Sequence, residues 1–159
     1  MKNNKGLTPI EVLLVLSIIA VLYSISFLQT TKSRNKVVLD SSLSLLINDI
    51  KSQQSQAMDG YKLGGDVNNY YGVYFESNRY ILFHSSTYQS GLSTNLAVNL
   101  DNGISFSQIS LPNNQLVFAS SSGEIQNFDP GRNSIVFSTN VGDQKTVFLN
   151  REGVIYQVW

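Results

Sequence analysis

No cysteine occurs anywhere in the 159 residues. Disulfides, thiolate nucleophiles and cysteine-ligated zinc are therefore excluded. The compartment stays open, since exported proteins can do without disulfides. Charge is scarce as well. Lys plus Arg and Asp plus Glu number 11 each, so the net charge is zero, and charged residues make up only 14% of the chain. A nucleic-acid-binding chain ordinarily carries a basic surplus or a basic stripe, and neither is present. Ser, Asn, Gln and Tyr supply much of the polarity instead. Such a surface hydrogen-bonds readily and is poorly protected by charge repulsion, which suits permanent assembly. Histidine occurs once, at His84. With no second His and no Cys, it has neither a metal-ligand set nor a signature catalytic partner. A structural or exposed histidine accounts for it.

What the chain does have is one long apolar run near its start. Val12 to Leu28 is 17 residues without a formal charge. As a helix it rises roughly 25 Å, at about 1.5 Å per residue. Adding Leu7 to Ile10 gives the length of a bilayer crossing. Lys2 and Lys5 precede the run, and the positive-inside rule then places the N-terminus in the cytoplasm and the body outside. One acid, Glu11, stands at the mouth of the run. Three readings compete: a secretory signal peptide, a plain signal anchor, and a signal cut before the apolar run. The first lacks a small-x-small site near Leu28 and puts Glu11 inside the apolar region. The second leaves Glu11 unexplained.

Downstream, Thr30 to Met58 contains no Pro and no Gly. Val38/Leu39, Leu43, Leu46/Ile47, Ile50, Gln54 and Ala57 recur at helical spacing, with charged residues between them. The pattern predicts one helix from Pro9 to about Asp59, apolar all round in its first half and amphipathic in its second. Gly60 is a natural stop. The alternative is two helices broken near Gln29 to Ser33.

From Tyr61 the period changes. Short β-rich runs alternate with Gly, Asn, Asp and Ser turns. Candidate strands are 70–75, 79–84, 96–100, 104–109, 115–119, 124–128, 134–139, 145–150 and 154–158. Asp101-Asn102-Gly103 reads as a hairpin turn between two of them. Gly60 to Asn69 and Ser85 to Asn95 read as exposed loops. Gly60-Tyr61-Lys62-Leu63-Gly64-Gly65 is not a phosphate loop, because it lacks the Gly-Lys-Ser/Thr ending and a preceding strand. Asp66, Asp101, Asp129 and Asp143 lie near Asn or Gly without EF-hand spacing, and turn chemistry explains them. Arg79, Arg132, Lys145 and Arg151 are scattered, so the aromatics read as packing groups and not as base-stacking platforms.

The leader Met1-Lys2-Asn3-Asn4-Lys5, then Gly6-Leu7-Thr8-Pro9-Ile10-Glu11 and the apolar run, closely resemble the prepilin N-terminal motif of the type IV pilin-like family. That motif is a short basic leader, a Gly, an apolar residue (commonly Phe), Thr, two further residues, and Glu five positions after the cut. Leu7 stands here for the commoner Phe, and Pro9 is a tolerated variant. The C-terminal third is similar, less specifically, to the GspH/FimT branch of minor pilins and pseudopilins. It runs through Phe128-Asp129-Pro130-Gly131-Arg132, the Ser134 to Thr139 run, Lys145 to Asn150 and Gly153-Val154-Ile155.

The resemblance implies cleavage after Gly6 and N-methylation of Leu7 by a prepilin peptidase/N-methyltransferase. Gly6 supplies the small, free backbone that such a cut needs. It implies that Glu11 pairs with the new amine of Leu7, on the same or a neighbouring subunit, and so sets register during filament assembly. The expected fold class is α+β and pilin-like. A long N-terminal helix, with a transmembrane half and an amphipathic half, packs on an antiparallel β-sheet body, and a split of that body into two sheets is left open. The expected segments are a leader at 1–6, a transmembrane and filament-core helix at 7–28, its amphipathic continuation at 29–59, and an extracytoplasmic β-rich domain at 60–159. The implied partners are other pilins or pseudopilins, an inner-membrane assembly platform and membrane lipid. The implied location is the cytoplasmic (inner) membrane in a single pass, then a periplasmic or cell-surface filament. The implied function is a non-enzymatic structural subunit of a type IV pilus-like or type II secretion filament, without cofactor or metal. The alternative is a DNA-binding minor pilin at a pilus tip. Some FimT-type minor pilins bind DNA through basic residues near the C-terminus, and Arg132 is a faint echo of that feature.

Overall fold

The computed structural model describes residues 8–60 and 70–158, except for the side chains of 25–35 and 157–158. Among the described residues the backbone runs as one 50-residue helix, α1 (Pro9–Met58), followed by eight strands. The chain divides between Val37 and Val38 into two compact units. The first is helical from Pro9 onward. The second holds the rest of α1 and all of the strands.

In the second unit the strands are β1 (Tyr71–Glu76), β2 (Arg79–Phe83), β3 (Leu96–Asn99), β4 (Ile104–Ser110), β5 (Gln115–Phe118), β6 (Ser134–Thr139), β7 (Gln144–Leu149) and β8 (Ile155–Val158). They form two four-stranded sheets, ordered β3-β2-β1-β5 and β4-β6-β7-β8, and all of their pairings are antiparallel. One core joins both sheets to α1. Leu39, Leu43, Leu46, Ile50 and Ala57 are buried along one stripe of the helix. Their steps of three, four and seven residues keep them on one face. Phe75 of the first sheet meets Phe106 of the second edge-on, with centroids 5.4 Å apart, and Phe106 meets Phe137 at 4.7 Å. Edge-on aromatic pairs at such spacing add to the burial of the rings.

Polar ties fix the helix stretch on the same body. Tyr80 donates from its hydroxyl to Asp49 Oδ2 at 2.5 Å, and Ser42 donates to Asp101 Oδ2 at 3.0 Å. Lys145 pairs with Asp40. Gln54 Nε2 donates to the carbonyls of Gly123, at 2.8 Å, and Glu152, at 2.6 Å. Gln53, and not the anticipated Gln54, is the buried glutamine of the stripe.

The pilin-like fold class is corrected in its N-terminal half: the expected transmembrane half is overturned, because no helix among the described residues is long and apolar enough to cross a membrane. Residues 25–28 of the expected span lie outside the described side chains. The expected single-pass inner-membrane location, with an extracytoplasmic body, loses its basis with this finding. The division of the body, left open by the sequence, is into two sheets that share a core with the stretch Leu39–Ala57, and residues 1–37 form a separate unit.

Two local expectations also change. Asp101-Asn102-Gly103 makes a turn, with Ile104 N donating to Asp101 O at 3.0 Å and Gly103 at φ 88°. It is not a hairpin, since β3 and β4 belong to different sheets. It is the corner where the chain changes sheet, and the Ser42 bond to Asp101 fastens that corner to α1. Residues 124–128 form no strand and make only the single bridge Phe118↔Ile125. Their backbone donors scatter, with Ile125 N to Arg151 O and Gln126 N to Val117 O. Ile125 is buried as an apolar plug instead of serving as a ladder residue.

Candidate functional site

The start of α1 is built by three neighbouring residues. Thr8 precedes the first helical residue, and Pro9 takes the first position, where its missing N–H costs nothing and its fixed φ suits the helix. Glu11 Oε2 accepts from Thr8 N at 2.8 Å and from Thr8 Oγ1 at 2.9 Å. Glu11 N in turn approaches Thr8 Oγ1 at 3.4 Å and donates to Thr8 O at 3.0 Å. This is a capping box, in which the N-cap hydroxyl and the third-position carboxylate satisfy donors that a helix end leaves open. The backbone bond, then the hydroxyl bond, lower the Glu11 carboxyl below its ordinary range. The positive end of the helix favours the same ionised form. The pattern Thr-x-x-Glu is legible in the sequence and gives Glu11 a local role at the helix end. Oε1 carries no hydrogen bond among the described residues. Gly6 and Leu7, the expected cleavage and methylation positions, lie outside the described residues.

Beyond the cap, the helix surface is apolar in every direction. Ile10, Val12, Leu13, Leu14, Val15, Leu16, Ile18, Ile19, Val21, Leu22 and Tyr23 are each at least 44% exposed. The two serines of this stretch turn inward to the backbone: Ser17 Oγ donates to Leu14 O at 2.7 Å and Ser24 Oγ to Ala20 O at 2.8 Å. Their hydroxyl protons are spent within the helix, so the surface offers few polar handles. An all-round apolar helix is a buried element in its working state.

Among its described residues, the second unit brings together no recognisable catalytic constellation. His84 is buried just beyond β2, its ring tilted against Tyr71 at 4.6 Å between centroids. Among the described residues no group of three or more His, Cys, Asp or Glu could hold a metal ion. Asp129 Oδ1 accepts from Gly131 N at 2.9 Å, which is turn chemistry. Asp66 lies outside the described residues. Four basic side chains of the body are engaged locally. Arg79 pairs with Glu76 at 2.6 Å, Arg151 with Glu124 at 3.4 Å, and Lys145 with Asp40. Arg132 donates to Leu111 O at 2.7 Å. Tyr74 and Tyr88 stack on each other at 4.0 Å.

In comparisons with known proteins, no family model, curated protein or solved structure matches this chain.

Proposed function

We propose that this chain is a non-enzymatic structural subunit of a filament of the type IV pilus or type II secretion kind, a minor pilin or pseudopilin. In this reading it is cut after Gly6, methylated on Leu7, and assembled with other subunits through the first turns of α1. The observation that carries the reading is the exposed apolar surface from Ile10 to Tyr23. Burying a Val, Leu or Ile side chain is worth about 1.5–3 kcal/mol. Half of that for each of these side chains comes to about 10 kcal/mol, comparable with the 4–15 kcal/mol that association costs. One helix–helix contact is therefore marginal. A bundle in which each helix is surrounded by several others is stable.

Glu11 then has two jobs. Oε2 closes the cap with Thr8. Oε1 is left to accept from the amine that cleavage would create at Leu7, on this subunit or the next, and a charge-assisted bond of that kind fixes register along the bundle. The prepilin peptidase/N-methyltransferase and an assembly platform are the partners this reading requires.

The test is the intact mass and N-terminal sequence of the protein made in a host with an active prepilin peptidase. A mature start at methylated Leu7 is expected. A chain that still begins at Met1 overturns the proposal.

A further inference from the structure

The corner at which the chain changes sheet carries a reactive pair that the rest of the sequence does not repeat. Asn102 is followed by Gly103, and no other asparagine precedes a glycine. Both residues are exposed. Among the described residues, neither the Asn102 side-chain amide nor Gly103 N takes part in a hydrogen bond. Other asparagine side chains of the body are held. Asn127 donates to Gln115 O at 2.9 Å and accepts from Val117 N at 3.2 Å. Asn133 donates to Leu149 O at 3.0 Å, Asn95 to Gln89 O at 2.8 Å, and Asn150 accepts from Val154 N at 2.8 Å.

A backbone nitrogen next to a side-chain amide can attack it, and proximity favours such an intramolecular step over the same reaction between separate molecules. Glycine permits the attack most readily, because no side chain shields its nitrogen and its backbone turns freely. The same turn is a joint of the fold. Ile104 N donates to Asp101 O at 3.0 Å, and Asn140 N donates to Gly103 O at 2.9 Å. Asp101 accepts from Ser42 of α1 at 3.0 Å, and Ile104 is buried in the core.

We propose that Asn102 is a site of self-modification: it deamidates through a ring with Gly103, and the product loosens the corner that ties the two sheets to α1. Gly103 N loses its proton to water and attacks Asn102 Cγ. The N–Cγ bond forms, the Cγ–Nδ2 bond breaks, and the side-chain nitrogen takes up a proton from water and leaves as ammonia. A second water opens the cyclic imide. Opening at Cγ leaves an aspartate. Opening at the main-chain carbonyl leaves an isoaspartate, in which the chain runs through Cβ and Cγ and gains an atom between residues 102 and 103. That added length falls inside the turn bond from Ile104 N to Asp101 O. Asp101 and Ile104 then cannot both keep their places, the one on Ser42 and the other in the core. None of Gly6, Leu7 or Glu11 takes part, so the site stands or falls separately from the filament reading.

The test is peptide-mapping mass spectrometry of the folded full chain, held at mildly alkaline pH and sampled over time, with a parallel sample in urea. Isoaspartate is read separately, as methyl groups accepted from S-adenosylmethionine in the presence of an isoaspartyl methyltransferase. Asn102 in the folded chain is expected to convert several-fold faster than Asn95, Asn127, Asn133 or Asn150. Folding should slow those four far more than it slows Asn102. Asn102→Gln keeps an amide but requires a larger ring, and is expected to remove the isoaspartate signal. The isoaspartate-containing chain is expected to unfold at a lower urea concentration than the unmodified chain and to exchange the Ile104 amide faster. The proposal is overturned if Asn102 converts no faster than the held asparagines, if the isoaspartate signal survives in Asn102→Gln, or if modified and unmodified chains unfold alike.

Discussion

The two ends of α1 obey opposite rules. From Leu39 to Ala57 the apolar residues fall on one stripe, and that stripe is buried against two sheets. From Ile10 to Tyr23 nearly every residue is apolar, and nearly all are exposed. The first kind of helix is complete within its own chain. The second leaves apolar side chains from Ile10 to Tyr23 largely exposed. A single continuous helix thus carries one segment designed for an internal core and one that needs external neighbours. The comparison teaches that the same helix can meet two opposite surface rules, one satisfied by a core and one left at the surface.

The comparison predicts very different costs for the same substitution. Leu46→Ala or Ile50→Ala empties a fully buried position, and should lower stability by about 2–5 kcal/mol in urea or thermal unfolding. Leu16→Ala removes a half-exposed side chain. It should change the stability of the isolated subunit by less than about 0.5 kcal/mol, and yet reduce self-association measured by sedimentation. Equal losses of stability at Leu16 and Leu46 would erase the distinction between the two segments.

The next largest effect belongs to the sheet that covers the buried stripe. Gly72 sits in β1 between β2 and β5, where a Cβ would press into the Phe83 ring and come within 2.6 Å of Leu116 O. A backbone oxygen cannot step aside as a flexible side chain can. Gly72→Ala should therefore cost about 1–3 kcal/mol, the usual range for overpacking, and should do so without touching the surface of residues 10–23. Denaturant unfolding and self-association, measured on one sample, check both halves of that statement.

Tyr80→Phe gives a smaller change and a pH signature. Burial, then the bond to Asp49, push the Tyr80 phenol above its usual range. The folded state thus holds that proton more tightly than the unfolded chain does. The resulting stability is fully present below the ordinary tyrosine pKa of about 10 and is lost as pH rises through the raised folded value. Tyr80→Phe should cost about 1–2 kcal/mol at neutral pH, since half-exposed Asp49 can turn to water. Above pH of about 10 the wild type should lose stability that the variant does not. Parallel curves for the two proteins in alkali would remove Tyr80 as the group responsible.

What the sequence revealed follows the range of the forces involved. The stripe Leu39, Leu43, Leu46 and Ile50 is legible because helical spacing is local. The ends of β6 are legible for the same reason, as alternation and turn residues bound them. The partition into two sheets is not. Asp101-Asn102-Gly103 demands a turn, but whether the next strand returns to β3 or crosses to β6 depends on Phe106 finding Phe137 and on Ser42 holding Asp101, contacts between residues far apart in the chain. Ile125 looks like a strand residue by type and is a plug by position. The cap at Glu11 is legible because it is local, since Thr8 stands three residues before it.

The mildest substitution at the helix start separates the two roles of that acid. Glu11→Gln keeps a side chain that can accept from Thr8 N, and Gln is an ordinary third-position residue of a capping box. It removes the negative charge that an amine at Leu7 would seek. Glu11→Ala removes both. Because the lowered carboxyl pKa follows from the two Thr8 bonds, the cap's contribution in the wild type is present above the ordinary glutamate pKa of about 4.3. It fades as pH falls through the lowered folded value. Amide exchange in the first turns of α1 should therefore quicken in acid in the wild type, stay near neutral-pH wild-type rates in Glu11→Gln with little pH dependence of the cap, and be fast in Glu11→Ala at every pH. If assembly depends on the charge, both variants assemble poorly and only the alanine variant frays. If assembly depends on the cap alone, Glu11→Gln assembles as the wild type does, and the proposed pairing with the Leu7 amine is wrong.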